Sequence, residues 1–382
     1  MNHYMKSHPF LFLLVLLLSC KQEKKVNTPI STQKLTEQTI FYASGFTIEN
    51  KENYKKIQIT SPWPNTKDTF TYILYPKGNE KPLISGKATS IEIPINKTVV
   101  TSTTDIPMLE YLEIEDKLVG FPHLDYISSE KIRTLIDQGN IEELGNNGHL
   151  NTELTLALAP ELIIGFSATG DTKTYQLLEK TGIPVVINGS WMEQHPLGRA
   201  ELIKFVAAFY HKEKEADSIF KSIEKEYLKA SSLAKNTTKT PTVLSGNMFK
   251  DVWHVPGGNS YVAKFLADAN TNYLWSDIKK TGSIALNFES VLEKAQDAEL
   301  WIGSGSSKSL AALRENNNRY TFFEAFKNKA VYSSTLKTGI KGGLVYYELG
   351  PMRPDLILKD IIQIAHPELL TDYEPYFFEK LN

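Results

Sequence analysis

Apolar and polar positions fall into successive regimes along this chain. From residue 41 to residue 100, short alternating runs at 54–60, 69–75 and 90–95 are broken by Ser61-Pro62-Trp63-Pro64 and Lys77-Gly78-Asn79. A period of two places successive side chains on opposite faces, so these runs predict strands of an antiparallel meander. After Lys97 the pattern changes. Apolar pieces at 162–164 and 185–187 alternate with helical periodicity around 108–112, 129–138 and 172–181. Such alternation predicts βα units and a mainly parallel sheet.

Residues 198–234 read as almost wholly helical. Leu202, Phe205, Val206 and Phe209 mark one apolar face, and a second stripe runs through Ala216, Ile219, Phe220, Ile223, Tyr227 and Ala230. Spacings of three and four residues fit one side of a helix. A helix over 213–234 is about 33 Å long at 1.5 Å per residue. Thr242-Val243-Leu244 then restarts a strand.

The parts before and after this helix echo each other. Leu150-Asn151-Thr152-Glu153 opens a helix leading to Glu161-Leu162-Ile163-Ile164-Gly165. Leu286-Asn287-Phe288-Glu289 opens one leading to Glu299-Leu300-Trp301-Ile302-Gly303. Repeated units around a rod predict two similar lobes and a cleft between them. The expected fold class is therefore α/β: two Rossmann-like lobes joined by one long backbone helix, with an N-terminal β meander. The expected divisions are a signal peptide at 1–20, a disordered tether at 21–40, the meander at 41–98, lobes at 99–211 and 237–382, and the connecting helix at 212–236.

Composition changes the picture little. The 382 residues are 41% hydrophobic and 23% charged with a net charge of −2, ordinary globular values without a basic patch for nucleic acid. The first residues matter more. Lys6 precedes an apolar run at 10–18 that is too short to span a bilayer, and Leu17-Leu18-Ser19-Cys20 ends it. This ending resembles the lipobox of bacterial lipoproteins, which implies lipidation of Cys20, the single cysteine, and export to a bacterial membrane facing the periplasm. One cysteine also excludes an internal disulfide.

With these residues in hand, the chain resembles the lipoprotein solute-binding component of an ABC importer, of the class with a single long inter-lobe helix. That class binds ferric siderophores, haem or cobalamin. The resemblance covers roughly 99–366. It rests on the Leu-Asn-x-Glu repeat, Thr181-Gly182-Ile183-Pro184-Val185, Gly198-Arg199-Ala200-Glu201 and Pro354-Asp355-Leu356. It implies a monomeric carrier without catalytic residues, whose ligand is a ferric chelate and whose partner is a permease dimer. No metal ion is expected on the protein's own side chains, and no cofactor beyond the lipid.

The resemblance also implies that Glu153 and Glu289 meet permease arginines, although an acid in a first helical turn equally suits the helix dipole. Ligand contacts are expected from loops at the carboxyl ends of strands. These loops offer Phe166, Ser167 and Trp191 from the first lobe, and Trp253, Tyr346, Tyr347 and Arg353 from the second. Aromatic faces suit flat chelates and an arginine suits an anionic edge. Each aromatic reads equally as core, and Arg353 beside Pro354 equally as a backbone brace.

Two other readings stay open. Gly165-Phe166-Ser167-Ala168-Thr169-Gly170 follows a strand, as the nucleophile elbow of an α/β hydrolase would, but Thr169 stands where that motif requires glycine. A carrier of bare metal ions would use His123, His195 and His254, which lie in loops without ligand spacing.

Overall fold

The computed structural model describes Met1 and residues 39–146 and 149–382. The expected signal peptide, the tether as far as residue 38, and Cys20 lie outside the described residues.

Strands β1 (Phe46–Asn50), β2 (Lys55–Thr60), β3 (Thr69–Pro76) and β4 (Thr89–Ile93) form one sheet in that order. Alternation puts Phe46, Ile48, Ile57 and Ile59 inside. The first two pairings are antiparallel, but β4 runs parallel to β3, which corrects the expected meander. Residues 77–88 separate the two strands and are long enough to return the chain to the same end of the sheet, as a tight hairpin is not.

The next sheet carries β5 (Thr98–Val100), β6 (Leu118–Phe121), β7 (Glu142–Glu143), β10 (Leu162–Gly165) and β11 (Val185–Ile187) in the order β11-β10-β5-β6-β7. Every pairing in it is parallel. A small hairpin, β8 (Gly145–Asn146) with β9 (His149–Leu150), stands apart from it. Val99, Val100, Leu162, Ile163, Ile164 and Val186 are fully buried, as continuous apolar runs in a sheet covered on both faces should be. Helices α1 (Ile106–Tyr111), α2 (Glu130–Asp137), α3 (Thr152–Leu158), α4 (Lys173–Lys180) and α5 (Pro196–Ala207) belong to this lobe.

Helix α6 (Glu213–Ala234) has the bounds that its apolar stripe predicts, with Ala216, Phe220, Ile223, Tyr227 and Ala230 buried. The second lobe repeats the plan. Strands β12 (Thr242–Ser245), β15 (Asn272–Tyr273), β17 (Leu300–Ile302), β18 (Val331–Ser333) and β19 (Glu379–Lys380) form a sheet ordered β15-β12-β17-β18-β19. It is parallel apart from β19. A separate antiparallel sheet joins β13 (Asn247–Phe249), β14 (Val252–Pro256) and β16 (Ser283–Leu286). Helices α7 (Tyr261–Asp268), α8 (Phe288–Ala295), α9 (Leu310–Asn316), α10 (Glu324–Lys327), α11 (Val345–Leu349) and α12 (Pro354–Ala365) complete it. Helix α6 packs against both α5 and α12.

The repeat in the sequence corresponds to a repeat in hydrogen bonding. The Asn151 side chain accepts from Leu154 N at 3.1 Å and that of Asn287 from Ser290 N at 2.8 Å, capping α3 and α8. At the far ends, Glu161 accepts from Asn96 N at 2.8 Å and Glu299 from Thr242 N at 2.7 Å. Each carboxylate thus ties its unit to the start of the strand beside it.

Polar ties join the lobes, among them an ion pair of Lys341 with Asp125 at 3.6 Å. Buried Glu348 of α11 accepts from Ser128 N at 2.7 Å and Ser129 N at 2.9 Å, at the entry to α2. Arg353 donates to the Tyr111 hydroxyl at 3.1 Å.

Candidate functional site: a cavity between the lobes

A cavity of about 860 Å³ lies where the two parallel sheets present their carboxyl ends. Thr103 and Thr104 after β5 and Trp191 after β11 supply one side. Ser245 to Asn247 after β12, Gly303 and Gly305 after β17, and Ser334 after β18 supply the other. This is where open α/β sheets place ligands, because the strands end there and the loops are free to vary.

Arg199 and Tyr261 dominate its chemistry. Arg199 lies in the first turn of α5 and donates from Nε to Glu193 O at 3.0 Å and from a terminal nitrogen to Trp191 O at 2.9 Å. Its guanidinium stands 3.8 Å from the centroid of the Tyr261 ring. Among the described residues, no carboxylate oxygen lies within 4.0 Å of it; the acid that feels its charge is buried Glu193 on the same wall, whose pKa burial raises and this charge pulls down. The Tyr261 hydroxyl is buried without a hydrogen-bond partner among the described residues. Burial pushes its pKa up to about 12, with the Arg199 charge pulling the other way. Tyr346 and Tyr347 line the same cavity with their rings 5.2 Å apart, and Tyr347 is 60% exposed.

Glu193 faces the cavity without offering a free charge. It accepts from Ser44 N at 2.7 Å and Gly45 N at 2.6 Å, and burial raises its pKa against the pull of those bonds. Deeper in α5, fully buried Glu201 binds the amides of Phe41, Tyr42 and Ala43, fastening the N-terminal segment beside the site.

The residues singled out from sequence divide. Trp191, Tyr346 and Tyr347 line the cavity. Phe166 stands behind Trp191, rings edge-on at 6.1 Å. Ser167 is buried in its own turn, its hydroxyl donating to Asp171 O at 3.1 Å and accepting from Gly170 N at 3.0 Å. Trp253, expected on a loop, is instead in β14 and fully inaccessible, 5.3 Å from the Trp301 ring and 5.4 Å from Phe323. The alternation from Val252 to Pro256 turns that side chain to the core. Arg353 grips Asp355 with two hydrogen bonds of 2.9 and 2.8 Å and is not among the residues that line the cavity.

Glu153 and Glu289 are exposed at matching places, the second 3.4 Å from Arg319. Of the three histidines, His254 lines the cavity, His123 stacks on Tyr126 at 3.9 Å, and His195 Nδ1 accepts from Leu197 N at 3.1 Å as the cap of α5. Among the described residues, no three His, Cys, Asp or Glu side chains converge as a metal site would require.

Sequence reasoning passed over Arg199 and Tyr261 as ligand contacts. One signal was there to be used: a cation in the first turn of a helix opposes the helix dipole, so Arg199 needed a reason other than helix stability.

Comparison with known proteins agrees with this geometry. Residues 99–336 match the family described as periplasmic binding protein. An uncharacterized lipoprotein of Methanocaldococcus jannaschii is 30% identical over 301 residues, 76% of this chain and 70% of the relative. Helicobacter pylori CeuE with Ni(II) bound superposes with a TM-score of 0.55 at 21% identity, over 74% of this chain and 88% of that one. A periplasmic heme binding protein from Pseudomonas aeruginosa gives 0.56 at 18% identity, over 75% and 98%. The chain is a binding protein rather than an enzyme, and it belongs to the periplasmic binding protein family.

Proposed function

We propose that this chain is a membrane-tethered solute-binding protein of an ABC importer. It captures a ferric chelate of siderophore type between its lobes and hands it to the permease. The observation that carries this reading is Arg199, a cation on the cavity wall with no carboxylate oxygen within 4.0 Å among the described residues, set among Tyr261, Trp191, Tyr346 and Tyr347. A half-buried cation that faces a cavity is strengthened by an anionic ligand that displaces water from it, and a flat or aromatic anionic complex satisfies both the charge and the rings. Lipidation of Cys20 supplies the tether, as the lipoprotein relative suggests, and Glu153 and Glu289 supply the docking acids.

Haem is the second reading. His254 and Tyr347 line the cavity and are residue types that can ligate iron. Cobalamin and a bare metal ion follow at greater distance. Titration of the tryptophan fluorescence with a ferric tris-catecholate, hemin and cyanocobalamin, beside equilibrium dialysis against zinc and manganese, tests the order. Saturable binding of the ferric complex is expected. Binding of zinc or manganese alone would overturn the chelate reading.

A further inference from the structure

The loop from β2 to β3 reaches the cavity. Pro64 and Asn65 in that loop line its wall and are exposed. They belong to the N-terminal sheet, outside the residues 99–336 that match the family. A segment that precedes the matched residues thus forms part of the surface that a ligand meets.

The loop is fixed from within and from without. Ser61 N donates to Asp68 O at 3.0 Å and Asp68 N to Thr66 Oγ1 at 3.0 Å. Asn65 sits at φ 61°, a left-handed conformation that asparagine tolerates better than most residues. Trp63 packs against the first lobe, edge-on to Phe70 at 5.6 Å. A Cβ at Gly170 would come within 2.8 Å of the Trp63 indole nitrogen, and one at Gly189 within 2.9 Å of Pro62 Cα, so both glycines let the loop approach. Finally, Trp191 donates its indole N–H to Pro62 O at 3.1 Å. The loop therefore orients an aromatic residue of the cavity as well as contributing two of its own.

We propose that this loop is a specificity-determining wall of the ligand cavity: Pro64 and Asn65 face the bound complex, and Pro62 positions Trp191. The inference rests on the cavity being the ligand site. A loop already held by buried contacts loses little freedom on binding, so its contacts contribute affinity at low entropic cost. Its two exposed side chains limit the size of what enters, and the Asn65 amide offers a donor and an acceptor without a charge.

The test uses the folded chain with Pro64→Ala combined with Asn65→Gly, and separately Asn65→Asp, titrated calorimetrically with ferric tris-catecholate, hemin and cyanocobalamin. The double substitution is expected to weaken the best-bound probe about fivefold or more and to change the ranking of the three. Asn65→Asp keeps the shape and the backbone preference. It is expected to weaken the anionic complexes about threefold relative to cyanocobalamin, which carries no net charge. Thermal midpoints near that of the unaltered chain report intact folding, and if the double variant does not fold, Asn65→Asp alone decides. Unaltered affinities and ranking in a chain that does bind a probe overturn the inference. Failure of the unaltered chain to bind any of the three overturns the reading of the cavity itself.

Discussion

Arg199 and Tyr261 meet across the lobes: the guanidinium of α5 rests 3.8 Å from the ring centroid of α7. The Glu348 and Arg353 ties and the pair of Lys341 with Asp125 at 3.6 Å also attach the two lobes besides α6. The Arg199 cation, so placed, is worth more when water is excluded from it, as a bound ligand would exclude it.

Replacing Arg199 separates charge from shape. Arg199→Ala is expected to weaken an anionic ferric complex at least about tenfold, the range of a hydrogen bond to a charged group. Arg199→Lys keeps the charge but loses the planar fork that holds Trp191 O and Glu193 O, and falls between the two. Cyanocobalamin, without a net charge to meet, should bind all three alike. Equal loss across the three ligands in a fluorescence titration would mean that Arg199 only braces the wall.

Much of the frame was legible because its signals are local. The stripe of α6 gave its bounds, and Asn151 and Asn287 marked two helix starts by a capping chemistry that needs no tertiary knowledge. The direction of β4 was not legible, since a period of two is the same for parallel and antiparallel neighbours. The β13–β14 hairpin was missed because its turn, Lys250 and Asp251, takes φ 49° and 62° without the glycine that usually announces such a turn. Trp253 therefore seemed to lie on a loop. The site itself depends on which loops meet across two lobes, a long-range fact that no window of sequence contains.

Asp105 predicts a pH dependence. It is fully buried near the end of β5, accepts from Asn188 Nδ2 at one oxygen and has no partner at the other among the described residues. Burial raises its pKa from 3.8 to about 7, against the lowering effect of the Asn188 bond. The folded pKa lies above the unfolded one, so the folded chain holds an extra proton between the two values. Its contribution is complete below about pH 4 and is lost as the pH rises to about 7, on the order of 4 kcal/mol in all. His195 and His211, lowered by burial, act with the opposite sign near pH 6.5. The difference in thermal midpoint between the unaltered chain and Asp105→Asn isolates the acid: it should change steadily from pH 4 to 7. A constant difference would exclude the shift.

Glu153→Arg with Glu289→Arg is expected to leave ligand affinity intact and to stop uptake in cells carrying the cognate permease. Both acids are exposed and outside the cavity, and Glu289 loses only a 3.4 Å pair with Arg319 whose partners are 75% and 39% exposed. Exposed pairs contribute only about 0.2–1 kcal/mol, so folding should be unaffected. Normal import by the double variant would remove the docking assignment.

Trp253→Ala distinguishes core from cleft. The indole is enclosed by Trp301, Tyr320, Phe323 and Phe288, with centroids 5.3 to 6.4 Å away, and donates to Ser245 O at 3.4 Å. Emptying that volume should cost about 3–5 kcal/mol, because four rings cannot close over the gap. Denaturant midpoints should fall accordingly, while calorimetric affinity for the ferric complex, measured where the variant is still folded, should stay at the unaltered value. Trp191→Ala should show the reverse, a modest change in midpoint and a clear loss of affinity, since its ring faces the cavity and its removal exposes only part of the wall. If Trp253→Ala loses affinity with an unchanged midpoint, Trp253 belongs to the ligand after all.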